Sequence, residues 1–295
     1  MIDHDSLLDI LLRHAPESKS FNTKINGFKI ARRDTPYKME RCSIIKPLVI
    51  VTVQGKKCSV IGKVPYEYGA GKTMVLGMDM PADSRVLEAS PEKPYLSMIL
   101  ELDAALIAQI LSELPKETES VKPLWAAACS KTDPAVYEAF VRLVELLDKP
   151  ERIQFLSPMI IREIYYLLLT GPLGIHIRAI NTLGTQSNQI ARAITWLESN
   201  YKKPFKIEEL AEYVNMAVST FHRNFKQITA LSPLQFQKKL RLLEAQRLML
   251  IERYDASNAC YEVGYESPTQ FNREYKRMFG NSPMRDIKDI LFQAS

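Results

Sequence analysis

IEELAEYVNMAVSTFHRNFKQITALSP, residues 207–233, and ACYEVGYESPTQFNREYKRMFGNSP, residues 259–283, carry the same helical pattern. The offset between the copies is 49 residues at Ala211 and Cys260 and 50 residues from Phe221 onward, so the second copy has one extra residue in its turn. A repeated supersecondary unit fixes the architecture of the region that contains it. These two stretches therefore decide the fold of the C-terminal third of the chain.

Each copy has the pattern of a helix–turn–helix unit. Asn215 in the first copy and Gly264 in the second stand where the chain must turn sharply, and both residue types tolerate a left-handed backbone. Phe221 and Phe225 are four residues apart, which predicts that both face the core from one helix. Pro268 suits the first turn of the matching helix in the second copy, because its missing N–H costs little there.

The side chains predicted to point outward from these two helices are mostly short, polar or basic. They are Ser219, Thr220, His222, Arg223 and Lys226 in the first copy, and Thr269, Gln270, Asn272, Arg273 and Lys276 in the second. Hydroxyls, amides and guanidinium groups can read base edges in the major groove, and Lys and Arg bind phosphates. We therefore predict that both copies bind double-stranded DNA. The alternative is a merely solvated basic surface, which two copies with matched turns and matched arginines make the weaker interpretation.

The region from residue 186 onward resembles the DNA-binding domain of the AraC/XylS transcription regulators. The resemblance is carried by the first copy, by KKLRLLEAQRLML at 238–250 and by VGYESPTQFNREYKRMFGNSP at 263–283. It implies two helix–turn–helix units joined by a long helix, reading one face of DNA about one helical turn apart. It also implies RNA polymerase as a partner if the protein is an activator.

The same resemblance assigns base readout to particular positions of each copy. These are Ser219, His222 and Arg223 in the first copy, and Thr269, Gln270, Asn272 and Arg273 in the second. His222 and Asn272 occupy matching positions but differ in chemistry. The two DNA half-sites are therefore expected to differ in sequence.

From about residue 21 to residue 102 the periodicity is that of strands. Asn26-Gly27 marks a hairpin. The predicted strands after it span residues 44–53, 57–61, 64–68, 72–78, 85–89 and 95–101. Short strands separated by turns indicate a small antiparallel barrel or sandwich. A barrel of this size can hold one small ligand.

A metal-dependent barrel enzyme would need a cluster of histidines and carboxylates inside this barrel. The four histidines, His4, His14, His176 and His222, all lie outside the predicted strands. The sequence contains no evident Ser–His–Asp or Cys–His arrangement and no C-x-x-C pair. We predict no enzymatic activity, no metal and no cofactor. A barrel enzyme fused to a DNA-binding domain is the least favoured alternative.

VQGK at 53–56 and MDMPADSRVLEASPEKPYLSMILELD at 78–103 resemble the N-terminal domain of one subgroup of AraC-type regulators. That resemblance implies a cupin-like domain that senses a small-molecule effector. Some members of the subgroup respond to reactive aldehydes, which makes Cys42 a candidate thiol. The other candidate effector contacts are Met78, Met80 and Tyr95. The alternatives are that these are packed barrel residues and that the protein binds DNA constitutively without an effector.

Helical periodicity returns after the strands. Predicted helices span residues 105–114, 134–147 and 159–170, with Ser157-Pro158 capping the last, and a helix capped by Ser187 runs to residue 200. Residues 115–123 form a predicted linker, and residues 171–185 form a second, less regular one. The helices carry more apolar surface than a small barrel needs. We interpret them as covering the barrel and supplying a homodimer interface; an intramolecular helical cap is an equally open alternative.

The sequence thus predicts an α+β protein with a cupin-like small β-barrel, flanking helices and an all-α C-terminal part. The predicted parts are an effector-sensing domain at 1–110, a helical cap or dimerisation region with linker at 111–185, and the double helix–turn–helix domain at 186–295. The predicted location is the bacterial cytoplasm, because Asp3, Asp5 and Asp9 break any leader-like apolar run and the most apolar segment, 160–169, is too short and too charged to span a membrane.

Composition agrees with this reading. The chain has 295 residues, of which 46% are hydrophobic and 25% charged, as in ordinary globular proteins of two domains. The net charge is +5, and residues 186–295 contain 16 Lys and Arg against 12 Asp and Glu, so most of the excess lies in the DNA-binding part. The excess is modest and suits nucleic acid without establishing it.

Overall fold

Two antiparallel sheets form the first part of the chain in the computed structural model, which describes residues 3–115 and 125–293, apart from the side chains of 38–41 and 293. The described strands are β1 Ser20–Asn22, β2 Phe28–Arg33, β3 Tyr37–Ile45, β4 Leu48–Gln54, β5 Lys56–Ile61, β6 Val64–Gly69, β7 Lys72–Leu76, β8 Met80–Glu88, β9 Tyr95–Glu101 and β10 Ala127–Lys131. The order is β1-β2-β9-β4-β7-β10 in the six-stranded sheet and β3-β8-β5-β6 in the four-stranded sheet.

The helices are α1 His4–His14, α2 Ala104–Glu113, α3 Pro134–Glu145, a 3-10 turn at Leu146–Asp148, α4 Pro150–Thr170, α5 Gly174–Asn181, α6 Gln186–Asn200, α7 Ile207–Tyr213, α8 Val218–Thr229, α9 Pro233–Ile251, α10 Ala256–Glu262, α11 Pro268–Phe279 and α12 Pro283–Gln293. The chain divides into two units, Met1–Ala191 and Arg192–Ser295. A strand-rich unit followed by a helical unit confirms the predicted α+β class. The predicted three-part division stays a prediction.

The core of the first unit lies between the six-stranded sheet and its helices. Alternate residues of β4, such as Val49 and Val51, belong to one apolar cluster with Leu11 of α1 and Phe140 of α3. The rings of Phe28 and Phe140 lie 6.2 Å apart. Period-2 burial in the strand and a 3.6-residue stripe in the helix give two apolar faces that exclude water together.

One predicted strand, residues 44–53, is wrong. Ile45 ends β3 in the four-stranded sheet, and Leu48 begins β4 in the six-stranded sheet. Pro47 between them has no N–H to donate to a ladder, so the apolar run is divided between two sheets at that point. The short strand β10 was absent from the prediction; it pairs with β7, with Ala128 opposite Val75.

The helix predicted to begin after a Ser157-Pro158 cap is also misplaced. Helix α4 begins at Pro150 and contains Pro158 in its interior. Pro150 occupies the first turn, where the missing N–H costs little, whereas Pro158 leaves the carbonyl of Gln154 without its usual donor. The helix continues because Ile160 and Ile164, which follow the proline, are buried, and their packing stabilises the helix past this point.

Residues 171–185 are not the irregular linker predicted from sequence. They contain α5, in which Ile177 and Ile180 are buried. The cap predicted at Ser187 is also wrong, since Ser187 lies inside α6 and the hydroxyl of Thr185 accepts from the Asn188 N–H at 3.1 Å. Most of the predicted linker at 115–123 lies outside the described residues.

Candidate nucleic-acid interface

The two predicted recognition helices, α8 and α11, bury the same positions. Phe221 and Phe225 are fully buried in α8, and their ring centres are 5.5 Å apart. Phe271 and Tyr275 are fully buried in α11, with ring centres 5.6 Å apart. Each aromatic pair fixes its helix by one face, so the opposite face is left to solvent.

The turns before these helices have matching backbones. Asn215 has φ 56° and Gly264 has φ 86°, as the sequence predicted. The Met216 N–H donates to the Ala211 carbonyl at 2.9 Å, and the Tyr265 N–H donates to the Cys260 carbonyl at 3.0 Å. The same left-handed residue and the same closing hydrogen bond therefore position both helices.

The exposed faces of α8 and α11 contain nine of the ten predicted DNA-binding residues. The exposed residues are Ser219, His222, Arg223 and Lys226 of α8, and Thr269, Gln270, Asn272, Arg273 and Lys276 of α11. Thr220 is half-buried. The side-chain amide of Gln270 donates to Glu274 at 3.2 Å, so this residue also has an intramolecular role.

Neither exposed face carries a carboxylate. Helix α8 contains no acidic residue, and the one acid of α11 is Glu274, whose side chain is 8% exposed. A polyanion approaching Arg223 or Arg273 therefore meets no repelling charge from the same helix. This arrangement suits contact with phosphates and base edges.

Glu274 of α11 bonds to helix α9 and to the turn that precedes α11. It accepts from Lys238 of α9 at 2.6 Å, and from the Tyr265 hydroxyl at 2.8 Å. Burial alone would raise the pKa of Glu274, but the hydrogen bonds from Lys238, Tyr265 and Gln270 outweigh it and hold the pKa below its usual value. The carboxylate is therefore charged at neutral pH and fastens α11 to the connecting helix.

Helix α9 contains the predicted connecting helix and contacts both copies; toward the first copy, the ring centre of Phe236 lies 5.6 Å from that of Phe225 in α8. The Arg241 guanidinium donates to the carbonyls of Tyr201 at 2.6 Å and Gly264 at 2.7 Å. The Gln237 amide donates to the carbonyl of Lys203 at 2.6 Å. Backbone carbonyls at turns, which lack helical partners, are thus satisfied from α9.

Two exposed residues were missed as candidates, Gln227 of α8 and Arg277 of α11. They correspond at the 50-residue offset that relates the copies, and that offset could have identified them. The role of Glu274 was missed as well. That role could have been predicted from the alignment of Glu274 with Asn224, because a charged residue that only one copy has at a buried position needs a partner there.

The four candidate effector residues occur in both sheets. Cys42 is half-buried in β3, and Met80 is buried in the adjacent strand β8. Tyr95 is buried at the start of β9 in the other sheet, and Met78 is buried between β7 and β8. Burial raises the pKa of another thiol, Cys129, to about 11, which leaves it protonated and unreactive at neutral pH.

No group of three or more His, Cys, Asp or Glu in the described residues could hold a metal ion. No helix within residues 3–115 and 125–293 has the length and apolar character needed to cross a membrane.

Similarity to known proteins agrees with this geometry. Residues 24–176 match the family model of the AraC-type transcriptional regulator N-terminus, and residues 210–288 match a helix-turn-helix domain. The thermoregulatory protein LcrF of Yersinia pestis is 26% identical over 175 residues, 59% of this chain and 63% of LcrF. The transcriptional activator RhaS of Yersinia pestis is 28% identical over 106 residues, 36% of this chain and 38% of RhaS.

Over 88% of this chain, the fold is similar to that of ToxT from Vibrio cholerae O395, with a TM-score of 0.56, 11% identity and coverage of 97% of ToxT. A ToxT structure with bound unsaturated fatty acid gives a TM-score of 0.55 at 10% identity, covering 88% of this chain and 93% of that one. The relatives named here are regulators rather than enzymes. The N-terminal match covers more than half of the sequence, and on that basis the chain belongs to the AraC-type family of transcriptional regulators.

Proposed function

We propose that the protein is a sequence-specific DNA-binding transcriptional regulator that reads two unlike half-sites with α8 and α11. The observation that carries the proposal is the pair of exposed faces, each bearing Arg and Lys, with no exposed carboxylate. Relatives named as transcriptional activators support this role, with RNA polymerase as the partner of an activator. Regulation of promoters would place its action in the bacterial cytoplasm, as the sequence predicts.

Binding to DNA selected from the source genome tests the proposal. Arg273→Ala and Arg223→Ala should each weaken binding about 5- to 150-fold, since a base-reading arginine contributes about 1–3 kcal/mol. Affinity should fall steeply with salt, because Lys and Arg displace counterions from phosphates.

Arg247→Ala is the matched control, since it removes the same charge from α9, where Arg247 pairs with Glu244 at 2.7 Å. It should leave affinity within about twofold, since an exposed ion pair contributes little to the fold. Equal losses from all three variants would mean that only net charge matters and would contradict base readout.

We further propose that the first unit binds a small-molecule effector that shifts DNA affinity. An effector can do so only through different affinities for two states of the protein. Candidate contacts are Cys42, Met78, Met80 and Tyr95, and the candidate classes are a reactive aldehyde and, because a ToxT structure holds one, an unsaturated fatty acid.

Intact-mass and thermal-shift measurements separate the two effector classes. An aldehyde that acts through Cys42 should give an adduct and a shift that Cys42→Ser abolishes and Cys129→Ser retains, since the Cys129 thiol has a raised pKa. A fatty acid should shift the melting temperature without an adduct. If no member of either class changes stability or DNA affinity, constitutive DNA binding without an effector is the better explanation.

A further inference from the structure

The exposed side chain of Gln270 is held by a buried carboxylate. Gln270 lies in the first turn of α11, and Glu274 follows four residues later, one turn along the same face of the helix. The side-chain nitrogen Nε2 of Gln270 donates to Glu274 Oε1 at 3.2 Å. The backbone N–H of Gln270 donates to Ser267 Oγ at 3.3 Å, which fixes the start of the helix. The amide is therefore restrained at the end of a recognition helix that contacts base edges.

The chemistry of Glu274 decides which end of the Gln270 amide faces it. Glu274 Oε1 also accepts from Lys238 Nζ at 2.6 Å, and Oε2 accepts from the Tyr265 hydroxyl at 2.8 Å. The Lys238 ammonium keeps the carboxylate ionised, and an ionised carboxylate accepts hydrogen bonds but donates none. The amide oxygen of Gln270 would be repelled at this position, so the nitrogen has to face Glu274. The direction of the amide is thus fixed by its partner.

The remaining atoms of the Gln270 amide form one donor beside one acceptor. Glu274 takes one N–H, so the second N–H and Oε1 are left for DNA. In the major groove adenine presents an acceptor at N7 and a donor at N6, which pair with both atoms at once. Guanine presents two acceptors, N7 and O6, one of which would face the amide oxygen, and cytosine and thymine each offer a single polar group. A fixed amide therefore favours adenine.

We propose that Gln270 reads an adenine in the second half-site, and that Glu274 is the positioning residue that orients the amide for this contact. The inference rests on the proposed function and deepens it by naming one base pair. The first copy has Thr220 and Asn224 at the matching positions. An asparagine amide contains both donors and an acceptor, so Asn224 could not impose one orientation on a neighbour. The device is therefore expected in one half-site only.

Selection of bound sites by the full chain from a pool of random double-stranded DNA tests the inference. The second half-site is the one whose recognition Arg273→Ala removes. At one position of it the wild type should prefer A·T over G·C by about 5- to 150-fold, the discrimination typical of a bidentate contact. Gln270→Ala truncates an exposed side chain and should abolish this preference while leaving the other positions as they are. Glu274→Gln should also reduce it, since a glutamine can present either an N–H or an oxygen to Gln270.

A double variant separates positioning from folding. In the Gln270→Ala background, Glu274→Gln should change no base preference further, because no amide is left to orient, even though it still lowers stability. Glu262→Gln is the matched control, since it removes a carboxylate of α10 that pairs with Lys202 rather than with α11, and it should keep the wild-type preference.

Three results would overturn the inference alone. A Gln270→Ala variant that keeps every preference would show that Gln270 reads no base, and a preference lost at a G·C pair would show the opposite use of the amide. A Glu274→Gln variant that weakens binding to all sequences equally would leave Glu274 a structural role only. A wild type without any sequence preference would instead overturn the proposed function, and this inference with it.

Discussion

The two helix–turn–helix units, the first at residues 207–233 and the second at residues 259–283, follow the same backbone path but are held by different interactions. In the second unit, Glu274 is buried and bonded to Lys238 and Tyr265. At the matching position of the first unit stands Asn224, 1% exposed, whose amide nitrogen has no partner in the described part of the chain. The second unit is held by a charged network, whereas the first depends on apolar packing and carries an unsatisfied amide.

The ends of the recognition helix are also better stabilised in the second unit than in the first. Ser267 caps α11 by accepting from the Gln270 N–H at 3.3 Å, whereas Ala217 precedes α8 without a side-chain cap. At the C-terminal ends, Gly280 has φ 85° and Ala230 has φ 60°. A left-handed alanine costs more than a left-handed glycine. The two copies therefore follow the same backbone path, but the first lacks the side-chain cap and the left-handed glycine that stabilise the recognition helix of the second.

The largest expected change in the free energy of unfolding comes from substitutions at the turns. Gly264→Ala should destabilise the second unit by about 3 kcal/mol or more, because the added Cβ would overlap the Lys202 carbonyl oxygen and φ is positive. Asn215→Gly, the matched change in the first unit, should be neutral or stabilise by up to about 1 kcal/mol. Urea unfolding of both variants measures the difference, and equal costs would contradict the proposed asymmetry.

The buried carboxylate gives the next effect. Glu274→Gln should cost about 2–3 kcal/mol, since it weakens charge-assisted bonds and leaves Lys238 without its anion. Asn224→Ala in the first unit should cost less than about 1 kcal/mol, because the lost amide nitrogen has no partner. Chemical denaturation at pH 7 compares them. A larger loss of stability from Asn224→Ala than from Glu274→Gln would mean that the first helix–turn–helix unit is held more tightly than the second.

Low pH should reduce the stability that Glu274 contributes to the second helix–turn–helix unit. The pKa of Glu274 is lowered in the folded protein, so its contribution to stability is complete above the unfolded pKa of about 4.3 and is lost as pH falls through the folded pKa. Subtracting the unfolding free energy of Glu274→Gln from that of the wild type should give a difference that shrinks between pH 5 and strongly acidic conditions. A difference independent of pH in this window would mean that folding does not lower the pKa of Glu274.

The smallest effect concerns the helix ends. Ala230→Gly should stabilise the first unit by about 0.5–1 kcal/mol by relieving the left-handed alanine. Gly280→Ala should destabilise the second unit by about 1 kcal/mol through φ alone, because nothing lies within 4 Å of the added Cβ. Thermal unfolding compares the pair, and shifts of the same sign would show that the two ends are not equivalent.

Sequence reasoning succeeded where the cause is local. Asn215, Gly264 and the Phe221–Phe225 pair were predicted because turn chemistry and a four-residue spacing act within a few residues. It failed at Pro158, where a local breaker is overridden by burial of the following turn, and at β10, whose partner β7 is distant in sequence. The bond between Lys238 and Glu274 spans 36 residues, and neither residue is distinctive by itself.

Footprinting of the strongest site bound by the protein in its source genome tests the central claim most directly. Two unequal units that both read DNA predict two protected half-sites of different sequence, about 10–10.5 base pairs apart, with Arg223→Ala and Arg273→Ala each removing protection from one of them. A single protected half-site that both variants weaken equally, or diffuse protection without a sequence motif, would contradict the account.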